Sequence, residues 1–493
     1  MPKASAPAGQ DWPRDLGAAE FRDRGRQAVE IVARYLEALD DLPPLPRVAP
    51  GEVLAALPSS PPEEGEPLEE ILQDFERILL PASTHWNHPR FFAYFNSSAA
   101  AAGILGELLA AAVNANAMLW RTGPATTELE YLTCRWLAEL VGLPASFDGH
   151  INDTASTSTM VALGAARDQA APEARERGLS RQPPLRVYGS HQAHSSVEKA
   201  VVALGMGRDG YRKVACDPEF RMLPRELERA ISEDLERGIV PCAVVATAGT
   251  TATTSVDPIP EIAEIARRHR LWLHVDAAHG GSAAILPERR WVLEGADRAD
   301  SIVINPHKWL FTPLDCSVLL TPRPEAIRRA FSLVPAYLET PEPDREAGLG
   351  ARNLMDFGVA LGRRQRALKL WMVMRYFGRS GLQRLLRSHL EMADWLRRQL
   401  EAEAGWEVMA PVPLSTICFR HVPPGGGEAE IEAHNREVMR LVNESGEAFV
   451  SHAAPDGRFL LRATIGGLRT APEHVARLWA ALKGAAAQAG SAP

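Results

Sequence analysis

The sequence predicts an α/β protein: a largely parallel sheet covered by helices on both faces, a smaller C-terminal α/β unit, and a helical arm at the N-terminus. Three observations carry this. Short apolar, β-branched runs alternate with helical stretches from about Asn96. Between two of those runs, Ile259–Arg268 has clear helical periodicity, with Pro258 and Pro260 at its start. After about Leu361 the pattern shifts to a long helix, then mixed elements, then a last helix.

Taken in order, residues 1–17 read as frayed, and Glu20–Leu39 as a helix striped by Phe21, Val29, Ile31, Val32, Tyr35 and Leu36. Pro43–Pro67, rich in proline and acid, reads as an extended linker, and Leu68–Leu80 as a second helix. Two helices on an extended arm make a poor free-standing domain, so the arm is expected to pack on something larger, such as a partner subunit. The small-residue run Ala99–Val113, interrupted by Glu107, reads as a buried helix too short for a membrane span. The predicted strands are Leu185–Tyr188, Ala243–Thr247, Leu271–Val275, Ser301–Ile304 and Ser317–Leu320. Leu414–Phe419, Phe459–Ala463 and the helix Pro472–Ala486 belong to the smaller unit. The expected division is an arm at 1–95, a large domain at 96–375 and a small domain at 376–493.

Composition narrows the function. A chain of 493 residues exceeds one hydrophobic core, and 46% hydrophobic with 24% charged residues is ordinary for a folded soluble protein. Acidic residues outnumber basic ones by 62 to 54 and no basic block occurs, which argues against nucleic-acid binding. The cysteines, Cys134, Cys216, Cys242, Cys316 and Cys418, are scattered with no C-x-x-C pair. That pattern points to reduced thiols in a cytoplasmic protein rather than a disulfide framework or a metal site. The first fifteen residues hold no apolar stretch of signal-peptide type.

In open parallel sheets, ligands bind at the carboxyl ends of the strands. Just after the predicted strands come Asp276 in HVDAAH, then Asn305, His307 and Lys308 in NPHKW. Two further runs, Ala243–Thr247 and Leu185–Tyr188, lead into the Gly/Thr-rich AGTTATTS and into GSHQAHSS, with His194. Taken singly these residues carry little, since an Asp after a strand is usually a cap and a loop Lys is usually solvated. Their order carries more, because Asp276 and Lys308 follow successive strands. An amine, a carboxylate and small hydroxyls on one rim match the needs of pyridoxal phosphate. The amine holds its aldehyde, and the carboxylate keeps its ring nitrogen protonated so that the ring draws electrons from the substrate α-carbon. Thr154, Ala155 and Ser156, opening a helix, would cradle its phosphate.

The motifs THWNHPRFFAYF (84–95), SHQAHSSVEKA (190–200), HVDAAHGGSA (274–283), INPHKW (304–309), DCS (315–317) and LGRRQRALKLW (361–371) make the chain recognisable. It resembles the group II pyridoxal-phosphate-dependent decarboxylases, the aromatic L-amino-acid decarboxylases most closely, from about Phe21 to near Trp479. The resemblance implies a type I aminotransferase-like fold and an intertwined homodimer with its active site at the subunit interface. It implies catalytic roles for Lys308 as the Schiff-base lysine, for Asp276 at the pyridine nitrogen and for His194 over the ring. Thr154, Ala155, Ser156, Asn305 and His307 would surround the phosphate, while Thr247 and Ala278 would flank the ring.

The expected substrate wall is Trp86, Phe91, Phe92, Tyr94 and Phe95 with Ser97, although Phe91 and Phe92 also read as core. Asn116 and Met118 would face it from the other subunit. The implied reaction is decarboxylation of an aromatic L-amino acid to its amine. The family's mobile loop would span Leu338–Phe357, rich in Gly, Pro and charge, and counting back from Leu361 puts its proton-donating tyrosine on Leu354. That departure keeps a second product open, an aldehyde formed by oxidative decarboxylation and deamination. A glutamate or diaminobutyrate decarboxylase would need a cation at the aromatic wall, and none is evident there. A dinucleotide-dependent oxidoreductase would need G-x-G-x-x-G after the first strand, which is missing.

Overall fold

The apolar runs pair into one seven-stranded sheet in the computed structural model, which describes residues 15–333 and 352–490. Its strands are β1 (Asp148–Asn152), β2 (Leu185–Ser190), β3 (Tyr211–Val214), β4 (Val240–Thr247), β5 (Trp272–Asp276), β6 (Ser301–Ile304) and β7 (Ser317–Thr321). They lie in the order β1-β7-β6-β5-β4-β2-β3. Pairings from β3 through β6 are parallel, and β7 runs antiparallel to both of its neighbours. β5 and β6 are buried along their whole length, which is why they read as mostly apolar runs, broken only by His274, Asp276 and Ser301. β1 and β3 fall outside the predicted strands. β1 carries Asp148, His150 and Asn152, and the edge strand β3 carries Arg212 and Lys213, so neither has an apolar signature.

The helices pack by their small faces. Ala155–Ala170 crosses β4, β5, β6 and β7, burying Val161, Ala162, Ala165 and Ala166, and its N-terminus opens at the carboxyl end of the sheet. Between β4 and β5, Ile259–His269 buries Ile259, Ile262, Ala263, Ile265 and Ala266, the spacing of three and four that puts them on one face. Ala101–Val113 is a helix but not a buried one. Ala102, Gly103, Gly106 and Ala110 form its covered stripe, while Leu105, Leu108, Leu109 and Val113 are 49–70% exposed. A Cβ on Gly106 would stand 2.7 Å from Lys369 Cα, so this glycine permits the close approach of the long helix Ala367–Ala402. That long helix breaks at Gly378, whose φ of 60° favours glycine.

A second sheet holds β8 (Trp406–Val408), β9 (Thr416–His421), β10 (Ser451–Ala453) and β11 (Leu460–Thr464), antiparallel in the order β10-β11-β9-β8. The segment before Tyr94 is tied to this layer: Phe92 N–H donates to Phe449 O, and Thr464 N–H donates to Phe92 O, both at 2.8 Å.

Contacts divide the chain into two units at His85 and Trp86. In the first, Ala18–Ala38 meets Leu68–Asp74 and the π-helical turn Phe75–Leu79 through the ion pairs Arg24–Glu69 and Arg34–Glu76. The predicted extended linker contains a short helix, Glu52–Ala56, entered through Gly51 at a φ of 96°. Phe21, Val29, Val32, Ile71, Phe75 and Leu79 remain exposed within this unit. No helix among the described residues is long and apolar enough to cross a membrane.

Candidate active site

The ends of β4, β5 and β6 and the opening of helix Ala155–Ala170 border a cavity of about 210 Å³. Thr154, Ala155, Ser156, His194, Thr247, Asp276, Ala278, Asn305, His307 and Lys308 all line it. Asp276 ends β5 directly across the register from Thr247 at the end of β4. The Asp276 side chain turns the chain back by accepting from Ala278 N–H at 3.1 Å. A Cβ on Gly280 would meet Ala248 O at 2.3 Å, so glycine lets the turn after β4 lie directly on the turn after β5.

Lys308 stands on the single turn Pro306–Trp309, its backbone N–H donating to Asn305 O at 2.9 Å. Burial lowers its ammonium below the ordinary lysine value, with Asp276 opposing the shift and Arg462 adding to it. Burial, aided by Lys308, pushes His307 down to about 3, so its ring is neutral. Its Nδ1 accepts Cys316 N–H at 2.9 Å, which leaves the ring hydrogen on Nε2, 3.2 Å from the Asn305 side-chain amide. The amide end that satisfies Nε2–H is the oxygen; this orientation pairs the otherwise orphaned Oδ1 and leaves the NH2 as a free donor.

His194 caps the helix Ser195–Ala203, with Nδ1 accepting Ser196 N–H at 3.2 Å, so in the neutral ring Nε2 carries the hydrogen. Desolvation at the cavity wall lowers its pKa, Asp276 working against this and Lys308 and Lys199 with it. Thr247 is fixed by its backbone, and its buried Oγ1 has no partner among the described residues.

This donor set fits pyridoxal phosphate. A helix N-terminus with adjacent hydroxyls and the Asn305 amide suits a phosphate, Asp276 suits a pyridine nitrogen, and Lys308 suits an aldehyde. The unpaired Thr247 Oγ1 is capacity that a ligand takes up.

A larger cavity of about 850 Å³ adjoins the first and shares Phe95, His194, Thr251 and Lys308 with it. Trp86, Tyr94, Phe95 and Ser97 line it, with Trp86 and Tyr94 stacked at 6.1 Å and 24°. Phe91 and Phe92 are fully buried and belong to the core. Asn116 and Met118 line neither cavity of the protomer. Asn116 Oδ1 accepts from Arg363 N–H and Met118 N–H, and Met118 packs with Leu119 and Met355.

Arg462, on β11, is the wall residue that sequence reading missed, and it corrects the expectation that no cation stands there. Its Nη1 donates to Tyr94 O at 2.8 Å and its Nε to Ala252 O at 3.1 Å; its guanidinium lies 4.8 Å from the Phe95 ring centroid. Burial pushes its pKa down to about 10. Tyr94, whose carbonyl it holds, has a φ of 51°, an unfavourable value for an aromatic residue. A lone arginine in the apolar strand LLRAT was the available signal. His279, Gly249 and Thr251 also line the smaller cavity unforeseen.

Leu354 is 1% exposed in the 3-10 turn Leu354–Phe357 and lines neither cavity. The neighbouring Met355 N–H donates to Met118 O, and Arg352 pairs with Asp148, so the end of the expected lid is part of the fixed body. Residues 338–351 of that segment lie outside the described residues.

Residues 50–422 match the family described as Pyridoxal-dependent decarboxylase conserved domain. The chain is 36% identical to tryptophan decarboxylase 2 of Oryza sativa subsp. japonica, covering 96% of each chain. It is 35% identical to a phenylacetaldehyde synthase of Arabidopsis thaliana, over 94% of this chain and 96% of that one. The crystal structure of Oryza sativa TDC with PLP and tryptamine superposes with a TM-score of 0.92 at 34% identity, covering 97% of this chain and 99% of that one.

Proposed function

The chain belongs to the pyridoxal-dependent decarboxylases and uses pyridoxal 5'-phosphate, and from that premise we propose that it converts an aromatic L-amino acid to its amine and carbon dioxide. The observation that carries the substrate class is the aromatic wall of Trp86, Tyr94 and Phe95 in the same cavity as Lys308.

Bound at Lys308, the cofactor supplies the electron sink that lets the bond from α-carbon to carboxylate break. The protein does the rest. Lys308, its ammonium destabilised by burial, offers a neutral amine more readily than a solvated lysine. Asp276 would hold a proton on the pyridine nitrogen. Thr154, Ala155, Ser156, Asn305 and His307 would bind the phosphate, and Thr247 and Ala278 would flank the ring. His194, with its proton at Nε2, would stack on the ring and orient the substrate. The aromatic wall and Ser97 seat the side chain. Asn116 and Met118 reach the corresponding cavity of a second subunit.

A homodimer agrees with the exposed face of Leu105, Leu108, Leu109 and Val113, too apolar to be left to water. Of the expected arm at 1–95, the part up to His85 packs on that partner, while Trp86–Phe95 belongs to the chain's own body; the large domain at 96–375 and the small one at 376–493 follow. Five free cysteines suit the reducing cytoplasm. The second reading, an aldehyde product, rests on Leu354 standing in place of the family's tyrosine and on the similarity to a phenylacetaldehyde synthase; Leu354 itself is buried and lines neither cavity of the protomer.

The deciding experiment is product analysis. Purified protein with pyridoxal phosphate receives tryptophan, tyrosine, phenylalanine, dihydroxyphenylalanine or glutamate, and amine, aldehyde and peroxide are quantified. Amine from an aromatic substrate without peroxide supports the proposal. Aldehyde with matching peroxide overturns the product, and turnover of glutamate alone overturns the substrate class and assigns Arg462 to a side-chain carboxylate.

A further inference from the structure

Three residues beyond Asp276, His279 lies 2% exposed at the wall of the smaller cavity. Its imidazole sits between two rings, Phe95 at 3.8 Å and 12°, and Trp309 at 4.8 Å and 7°. Trp309 is itself pinned, since its Nε1–H donates to His389 Nδ1 at 3.0 Å, and His389 Nε2 meets Gly467 O at 3.1 Å. The imidazole plane is therefore held by its neighbours. Neither of its nitrogens has a hydrogen-bond partner among the described residues, although both are buried.

Stacking needs only a ring, and phenylalanine would stack without burying two polar atoms. An unsatisfied buried donor or acceptor costs on the order of 1–3 kcal/mol, so the imidazole is an expensive filler unless a ligand satisfies it. Pyridoxal phosphate brings four polar features to this cavity. On the reading above, Lys308 takes the aldehyde, Asp276 the pyridine nitrogen, and the group around Thr154 the phosphate. The ring hydroxyl is left, and among the described residues the fully buried side-chain atoms without a partner at the cavity, once the Asn305 amide is turned to His307, are Thr247 Oγ1 and the two nitrogens of His279.

We propose that His279 is a cofactor-contacting residue, clamped between Phe95 and Trp309, that hydrogen-bonds the ring hydroxyl oxygen of pyridoxal phosphate. The inference rests on Lys308 being the cofactor-bearing residue.

The test measures binding to the full-length chain freed of cofactor, by equilibrium dialysis. Two ligands are compared: pyridoxal phosphate and its 3-deoxy analogue, which has hydrogen in place of the ring hydroxyl. His279→Phe keeps the stack and removes the nitrogens. It is expected to weaken pyridoxal phosphate about tenfold while leaving the deoxy analogue unchanged. Equal losses for both ligands, or no loss for either, overturn the proposal. Should His279→Phe fail to fold, Thr247→Val decides. Retained preference for the hydroxylated ligand supports His279, and complete loss of that preference assigns the contact to Thr247 alone. Wild-type protein that binds neither ligand removes the reading of Lys308 instead.

Discussion

Asp257 grips Thr247 from both directions: its Oδ2 accepts Thr247 N–H at 2.8 Å, and its own N–H donates to Thr247 O at 2.9 Å. The other carboxylate oxygen accepts Met222 N–H at 2.7 Å. A residue outside both cavities thus sets the end of β4 at the edge of the cofactor site. Asp257→Asn puts an NH2 against one of these N–H donors, so it should cost about 1–3 kcal/mol in a thermal melt. It should also weaken cofactor binding.

The same carboxyl carries a pH signature. Burial raises its pKa to about 6. A folded value above the unfolded one means that its contribution is fully present below about pH 4 and is lost as pH rises through 6. Wild-type stability should therefore carry a component that declines between these values, and Asp257→Asn should lack it. Melts at closely spaced pH that show no difference in slope would reject the assignment.

Lys308→Ala should abolish the visible absorbance of the protein with its cofactor while leaving its melting temperature without cofactor nearly unchanged. Asp276→Ala should keep the absorbance but lower kcat by about 10²–10³-fold, because an uncharged ring draws electrons poorly. Wild-type turnover in Asp276→Ala would remove it from the mechanism.

His194 is held below the ordinary imidazole value, by desolvation first, so it is neutral at physiological pH. Being depressed on folding, it contributes stability above about pH 6.5 that is lost as pH falls. Activity should show an acid limb below that pH, and His194→Gln should flatten the limb as well as slow the enzyme. A limb that persists unchanged belongs to another group.

Arg462→Lys cannot reach the carbonyls of both Tyr94 and Ala252, so the turn at Tyr94 loses a tie. KM for the aromatic substrate should rise roughly tenfold with a smaller change in kcat. A fall confined to kcat would place Arg462 in the chemistry rather than in the wall.

Leu354→Tyr should leave the ratio of amine to aldehyde unchanged, because the side chain faces neither cavity. Forcing a larger ring into a site 1% exposed should instead cost about 1–3 kcal/mol of stability. A shift in product ratio would restore Leu354 to the reaction.

The sequence by itself determined the parallel core and the rim of the site. Strands such as β6 are short, wholly buried and therefore unmistakably apolar, and Asp276 and Lys308 follow directly from where such strands end. β1 left no such trace because its polar residues are buried against partners from elsewhere, as when Ile151 N–H donates to Glu130, and β3 left none because it lies half exposed at the sheet edge. Tertiary structure alone decided what long-range contacts create. Arg462 reaches the wall from 368 residues beyond Tyr94, Phe95 meets His279 across the chain, and Leu354 turns inward rather than toward the cavity. Periodicity reports which face of an element is buried; only the fold sets which distant side chains share the space beside it.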